Sequence, residues 1–196
     1  MRIFFLLSFV YFSSCFKENT IEESINAYRV TQNITYNNIN VDVVIDKPAL
    51  NEVDVLLVFH GTVSNDLNLM TAANTTLDKF KSVLDRNDMM IISVAYPQEN
   101  VLFGDGIIQC EAALLWLKNN ASQELGITVN KIFLGGHSQG GYMVTRLNTM
   151  HQINGVIANS PGPLNLVYRC QLEENGQVQS LSLIHISEPT RLLSIS

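Results

Sequence analysis

The chain has 196 residues, 46% of them hydrophobic and 15% charged, with a formal net charge of -6. That core content suits one folded domain and excludes a disordered or collagen-like chain, while acidity spread along the sequence without a Lys/Arg run leaves no footprint for a nucleic-acid backbone. Cys15, Cys110 and Cys170 lie far apart with no C-x-x-C pair, which argues against a structural zinc site or a disulfide-dense scaffold.

Met1-Arg2, the apolar and hydroxyl run Ile3 to Phe12, and Ser13-Ser14 before Cys15 supply the charge, core and cleavage regions of an export signal over residues 1–15. The run is shorter than the roughly 20 apolar residues a bilayer helix needs. The mature chain is therefore expected to leave the cytoplasm. It would be secreted or periplasmic, or held at the cell surface by a lipid on Cys15, because Phe12-Ser13-Ser14-Cys15 resembles a loose bacterial lipoprotein signal.

Between Asn33 and Asp46, Val41, Val43 and Ile45 alternate with Asp42, Val44 and Asp46 behind the turn signal Asn37-Asn38, so the sequence predicts a hairpin of edge strands. Val53 to Phe59, Met89 to Val94, Lys131 to Gly135 and Gly155 to Asn159 are short, nearly continuous apolar runs, the pattern of strands buried on both faces. Helical spacing separates them. Ala73, Leu77, Phe80 and Leu84 form one stripe, Ile107, Cys110, Leu114 and Leu117 a second, and Met143, Leu147 and Met150 lie on a helix from Gly140 to Met150. Strands alternating with helices imply an α/β fold, a mostly parallel sheet covered on both faces. Cys110, on its apolar stripe, reads as a small buried hydrophobe. Sequons at Asn33, Asn74 and Asn120 are what so Asn- and Ser/Thr-rich a composition gives by chance.

Gly136-His137-Ser138-Gln139-Gly140 stands directly after one strand and directly before a helix. A reversal tight enough to lift a serine into the open leaves no room for a Cβ two residues to either side, so Ser138 is expected to have strained dihedrals and an exposed hydroxyl. The competing reading is a glycine-rich turn at a helix N-terminus, with or without a bound phosphate. His60-Gly61-Thr62 follows the strand ending at Phe59, where backbone N–H groups can face a developing oxyanion; the amides of Thr62 and Gln139 are the candidate donors. Tyr96-Pro97 and Ser160-Pro161-Gly162-Pro163 also follow strands and are expected to line the crevice beyond the strands' carboxyl ends.

Through His60-Gly61-Thr62 and Gly136 to Gly141, with strand and helix order agreeing from about Ile34 to Pro163, the chain resembles the α/β-hydrolase family. Gly-His-Ser-Gln-Gly-Gly-Tyr is similar to the elbow of secreted carboxylesterases and of the polyester-depolymerase or feruloyl-esterase type, and to the Ser-x-Gly-Gly-Tyr elbow of prolyl-oligopeptidase-like serine peptidases. The resemblance implies a serine esterase acting on small-molecule or polymeric esters through an acyl-serine intermediate. It makes Ser138 the nucleophile and Thr62 and Gln139 the oxyanion hole, supported by His60, Gly61, Gly136, His137 and Gly140. A serine peptidase, or a non-catalytic binding module on the same scaffold, are the alternatives. None of these needs a metal or organic cofactor or a nucleic-acid partner, and membrane contact would come only through a lipid on Cys15.

In this family the acid and the histidine follow the serine along the chain, and the residues after Ser138 do not supply them. His151 would sit about 20 Å along an unbroken helix at ~1.5 Å per residue. His137 is expected to pack beneath the elbow and His60 to orient the oxyanion loop. Glu173 and Glu174 fall in a polar run that reads as solvated loop. His185 and Glu188 belong to a tail, Leu181 to Arg191, that matches the in-frame translation of a transposase-type sequencing adapter over eleven successive codons, with the register continuing through an index to Ile195-Ser196. Residues 181–196 are thus expected to be an artefact and 16–180 an incomplete α/β-hydrolase domain without the family's last two strands. This polypeptide should be nearly inactive, since loss of a triad histidine costs on the order of a million-fold in turnover.

Overall fold

The computed structural model describes residues 26–63, 65–97, 103–161 and 175–176. The expected export signal with Cys15, Gly162-Pro163, Cys170, Glu173, Glu174 and the adapter-like tail with His185 and Glu188 lie outside the described residues.

Asn37 and Asn38 take φ values of 48° and 63°. Asparagine tolerates this left-handed region, and two such residues in succession make the tight turn whose twist suits a hairpin. β1 (Tyr28–Tyr36) and β2 (Ile39–Lys47) accordingly pair antiparallel, Tyr36 opposite Ile39 and Tyr28 opposite Lys47. The expectation of two edge strands is corrected here: β1 is an edge, but β2 also pairs antiparallel with β4 (Met90–Ala95). Val43, Val44 and Ile45 are all buried as a result. Three consecutive apolar residues within the alternation are the trace of that interior position, because a strand covered on both faces needs apolar side chains at every step.

β3 (Glu52–Phe59), β4, β5 (Thr128–His137) and β6 (Gly155–Asn159) run parallel, and the sheet order is β1-β2-β4-β3-β5-β6. The crossovers are α1 (Leu69–Val83) after β3, α2 (Phe103–Asn119) with the short α3 (Ala121–Glu124) after β4, and α4 (Gln139–Met150) after β5. On one face Ala73 and Leu77 of α1 pack with Leu56, Val58 and Ile91. On the other, Leu114 and Leu117 of α2 and Met143 and Leu147 of α4 pack with Leu57, Phe59, Ile92 and Leu134, and Cys110 is buried among them. Each fully enclosed side chain of this size stabilises the fold by about 1.5–3 kcal/mol, so tertiary burial rather than intrinsic propensity holds the helices.

β6 has the apolar run of a strand built for burial on both faces, and it takes the edge position expected of it in an incomplete domain. It is the outermost strand of the described sheet, and Val156 and Ile157 stay 42% and 49% exposed. Burial of a strand needs neighbours on both sides, and β6 has only β5 among the described residues. At the opposite end of the sheet, Asp46 of β2 accepts from Arg29 at 2.7 Å and Lys81 at 2.8 Å, joining β1, β2 and α1. Partial burial pushes the Asp46 carboxyl upward, but the hydrogen bonds from Lys81 and Arg29 outweigh it and hold the group below the usual range.

Candidate active site

The register of β3 on β5 sets Phe59 beside Gly136. The loop leaving one strand therefore meets the turn leaving the other at the same end of the sheet. At that turn Ser138 has φ 56° and ψ -119°, a conformation that costs a residue with a β-carbon on the order of 1–3 kcal/mol. The surroundings impose it. The Ser138 amide donates to Asn159 O at the end of β6 (3.0 Å), and its carbonyl accepts from the Tyr142 amide in the first turn of α4 (3.1 Å).

The flanking glycines are required by space. A Cβ at Gly136 would lie 2.2 Å from Gly140 O, and one at Gly140 would lie 2.0 Å from Phe59 O. Both clashes are with backbone, which has no rotamer to retreat into. A Cβ at Gly61 would stand 3.4 Å from Ser138 Cβ, and Thr62 Oγ1 donates to Gln139 Oε1 at 3.1 Å. Two loops distant in sequence thus bring Gly61, Thr62, Ser138 and Gln139 to one place.

A serine in a strained strand-to-helix turn, between glycines that close packing demands, has the geometry of a nucleophile elbow. A family model described as alpha/beta hydrolase fold matches residues 56–180. The chain belongs to the α/β-hydrolase family. Among solved structures this α/β-hydrolase is similar to an arylesterase, with TM-score 0.54 and 20% identity over 69% of this chain and 45% of that one. It is also similar to Est1E from Butyrivibrio proteoclasticus, with TM-score 0.51 and 17% identity over 77% and 56% of the two chains. A thermostable esterase from Pseudomonas putida ECU1011 gives TM-score 0.53 and 16% identity over 69% and 44%. Likeness at this identity speaks to the fold, and the chain spans about half the length of these proteins. No curated protein sequence matches it at a significant level.

Ser138 of the α/β-hydrolase does not stand in the open as the sequence suggests; only 7% of its surface is accessible. Gly61 lies against its Cβ, and the end of β6 holds its amide. Among the described residues, the fully enclosed polar side-chain atoms without a partner are His60 Nε2, Asn65 Oδ1 and Ser93 Oγ.

The three described histidines sit in different surroundings. His60 is buried, with Nδ1 2.7 Å from Gly61 O. Burial pushes its imidazole below the ordinary value of 6.5, against smaller opposing pulls from the Gly61 and Tyr96 backbone and from Asp66. His137 was expected to pack beneath the elbow but is exposed, and with Gly61, Thr62, Thr75, Phe80 and Ile157 it lines a groove of about 720 Å³ between the His60 loop and α1. Strand alternation explains this: His137 shares a face with Gly135, which lies under Phe80, and past Phe80 no described element covers that face. His151 caps the far end of α4, about 18 Å along a 12-residue helix at ~1.5 Å per residue. There its Nε2 lies 2.7 Å from Glu111 Oε1 of α2.

Two contributors carry little sequence signal. Tyr96 was expected to line the crevice but is fully buried, its hydroxyl donating to His60 O at 2.5 Å, while Pro97 is half-buried and Ser160 and Pro161 are exposed. Asn159 acts through its carbonyl, so its residue type announces nothing; only its place opposite His137 at the end of β6 does.

Proposed function

We propose that this chain carries the nucleophile and oxyanion hole of a serine hydrolase acting on carboxylic esters. Ser138 Oγ attacks the ester carbonyl carbon, and the carbonyl π pair moves onto oxygen, where the Thr62 and Gln139 amides hold the charge. Collapse of the tetrahedral intermediate expels the alkoxide, which leaves as the alcohol with the proton given up by Ser138, and the acyl-serine is then hydrolysed by water. The carrying observation is the Ser138 backbone at φ 56° beside the His60-Gly61-Thr62 loop. That the similar solved structures include an arylesterase and a thermostable esterase supports the ester class.

The base and acid of this reading are none of His60, His137 and His151 and lie outside the described residues, and the adapter-like tail is not expected to supply them. Ser138 in this chain is therefore slow to react. The test is labelling with a fluorophosphonate, with the modified peptide located by mass spectrometry. The expected label is on Ser138 alone, absent in Ser138→Ala, accelerated by millimolar imidazole standing in for the missing base, and unchanged in His185→Ala. No label with imidazole present would overturn the reading and leave a non-catalytic module on a hydrolase scaffold, the second choice, which the burial of His60 and the contact of His151 with Glu111 favour.

A further inference from the structure

Two carbonyls of the oxyanion loop are held from beneath. Tyr96, fully buried just past β4, donates its hydroxyl to His60 O at 2.5 Å. Its ring also stacks on the His60 imidazole, with centroids 4.2 Å apart and planes 9° from parallel. His60 Nδ1 lies 2.7 Å from Gly61 O, and a carbonyl can only accept, so Nδ1 carries the proton. Nε2, enclosed and without a partner among the described residues, is then the bare nitrogen. Burial of the ring likewise favours its neutral form.

We propose that Tyr96 and neutral His60 are positioning residues that aim the Thr62 N–H at the oxyanion by pinning the peptide planes on either side of Gly61. This purpose rests on Ser138 being the nucleophile; the clamp itself does not. In a trans peptide the C=O and N–H point in opposite directions, and the described peptides are all trans. Holding Gly61 O down against the buried imidazole turns the Thr62 N–H of the same plane away from the core. Holding His60 O on the Tyr96 hydroxyl fixes the preceding plane. Gly61, which alone would tolerate many φ/ψ combinations, is thereby kept from flipping. A flipped plane would present a carbonyl oxygen to the developing negative charge, replacing attraction with repulsion. Thr62 Oγ1 on Gln139 Oε1 ties the outer edge of the same loop.

Tyr96→Phe, which keeps the stack and removes the hydroxyl, tests this in the full chain labelled with ¹⁵N and ¹³C. In the wild type, long-range nitrogen–proton correlations should show His60 as the Nδ1–H tautomer at pH 7; the Nε2–H tautomer overturns the clamp whatever the variant does. In Tyr96→Phe the Gly61 carbonyl and Thr62 amide resonances should move while those of the β1–β2 hairpin stay. With imidazole present, the limiting rate of Ser138 phosphonylation should fall about tenfold at an unchanged half-saturating concentration, less than the 10²–10³ of losing an oxyanion donor outright. Unmoved Gly61 and Thr62 resonances, or an unchanged rate in a variant that only melts lower, assign Tyr96 to packing and overturn the proposal. If wild-type Ser138 takes no label, the hydrolase reading fails, and the resonance measurements still decide the clamp.

Discussion

Gly140 rests on the Phe59 carbonyl with bare backbone between α4 and β3, so that an added Cβ would sit 2.0 Å from the oxygen. The helix that follows the serine can approach the sheet this closely only because position 140 has no side chain. The position of Ser138 relative to the His60 loop is thus set by an absence of atoms.

Gly140→Ala and Gly136→Ala should each destabilise the chain by about 3 kcal/mol or more, since the clash is with backbone and overpacking without an escape route lies at the top of the usual range. Gly104 in α2 provides the contrast, because nothing lies within 4 Å of a Cβ built there. Gly104→Ala should be neutral or stabilise by up to ~1 kcal/mol. Urea melts of the three variants check this, and a Gly140→Ala midpoint equal to wild type would contradict the packing described.

Stability should fall as the solution is acidified below about pH 6.5. His60 has a folded-state proton affinity below its ordinary value of 6.5, so under acid the unfolded chain binds a proton that the folded chain refuses. Stability from this source is complete above the unfolded value and shrinks as pH drops through it. Asp46, held below its ordinary 3.8, acts in the same direction but only at lower pH. Urea midpoints at pH 7.5 and 5.5 should therefore drop more steeply for wild type than for His60→Gln; parallel losses would remove His60 as the source.

The outer edge of β6, with Val156 and Ile157 exposed, should make the isolated chain prone to self-association through strand pairing. Ile157→Lys should raise the soluble monomer fraction on size-exclusion chromatography, a charge on such an edge being a common natural safeguard. A sharp, cooperative, concentration-independent melt of the unmodified chain would argue that this edge is not a liability.

Most of the architecture was legible because parallel strands buried on both faces leave continuous apolar runs, as in Val53 to Phe59 and Met89 to Val94, and covering helices leave stripes such as Cys110, Leu114 and Leu117. The elbow was legible because its glycines answer to crowding, a constraint visible as residue type. What escaped were relationships of depth. Val43-Val44-Ile45 marked β2 as interior, yet the surrounding alternation hid it. The burial of Tyr96 beneath the loop, the outward side of His137 and the shelter around Ser138 depend on which segments lie side by side, and no local pattern records that.

The strand order has a consequence for a chain emerging from the ribosome. The β1–β2 hairpin can close as soon as it is made, but β3 must wait for Met90–Ala95 to insert between it and β2, and its other flank stays bare until Thr128–His137 has been synthesised. Through that interval Val55 to Phe59 is an apolar ribbon with no permanent neighbour, the kind of segment that holding chaperones bind. Vectorial synthesis therefore presents one of the two central strands of this sheet unprotected before the elbow exists.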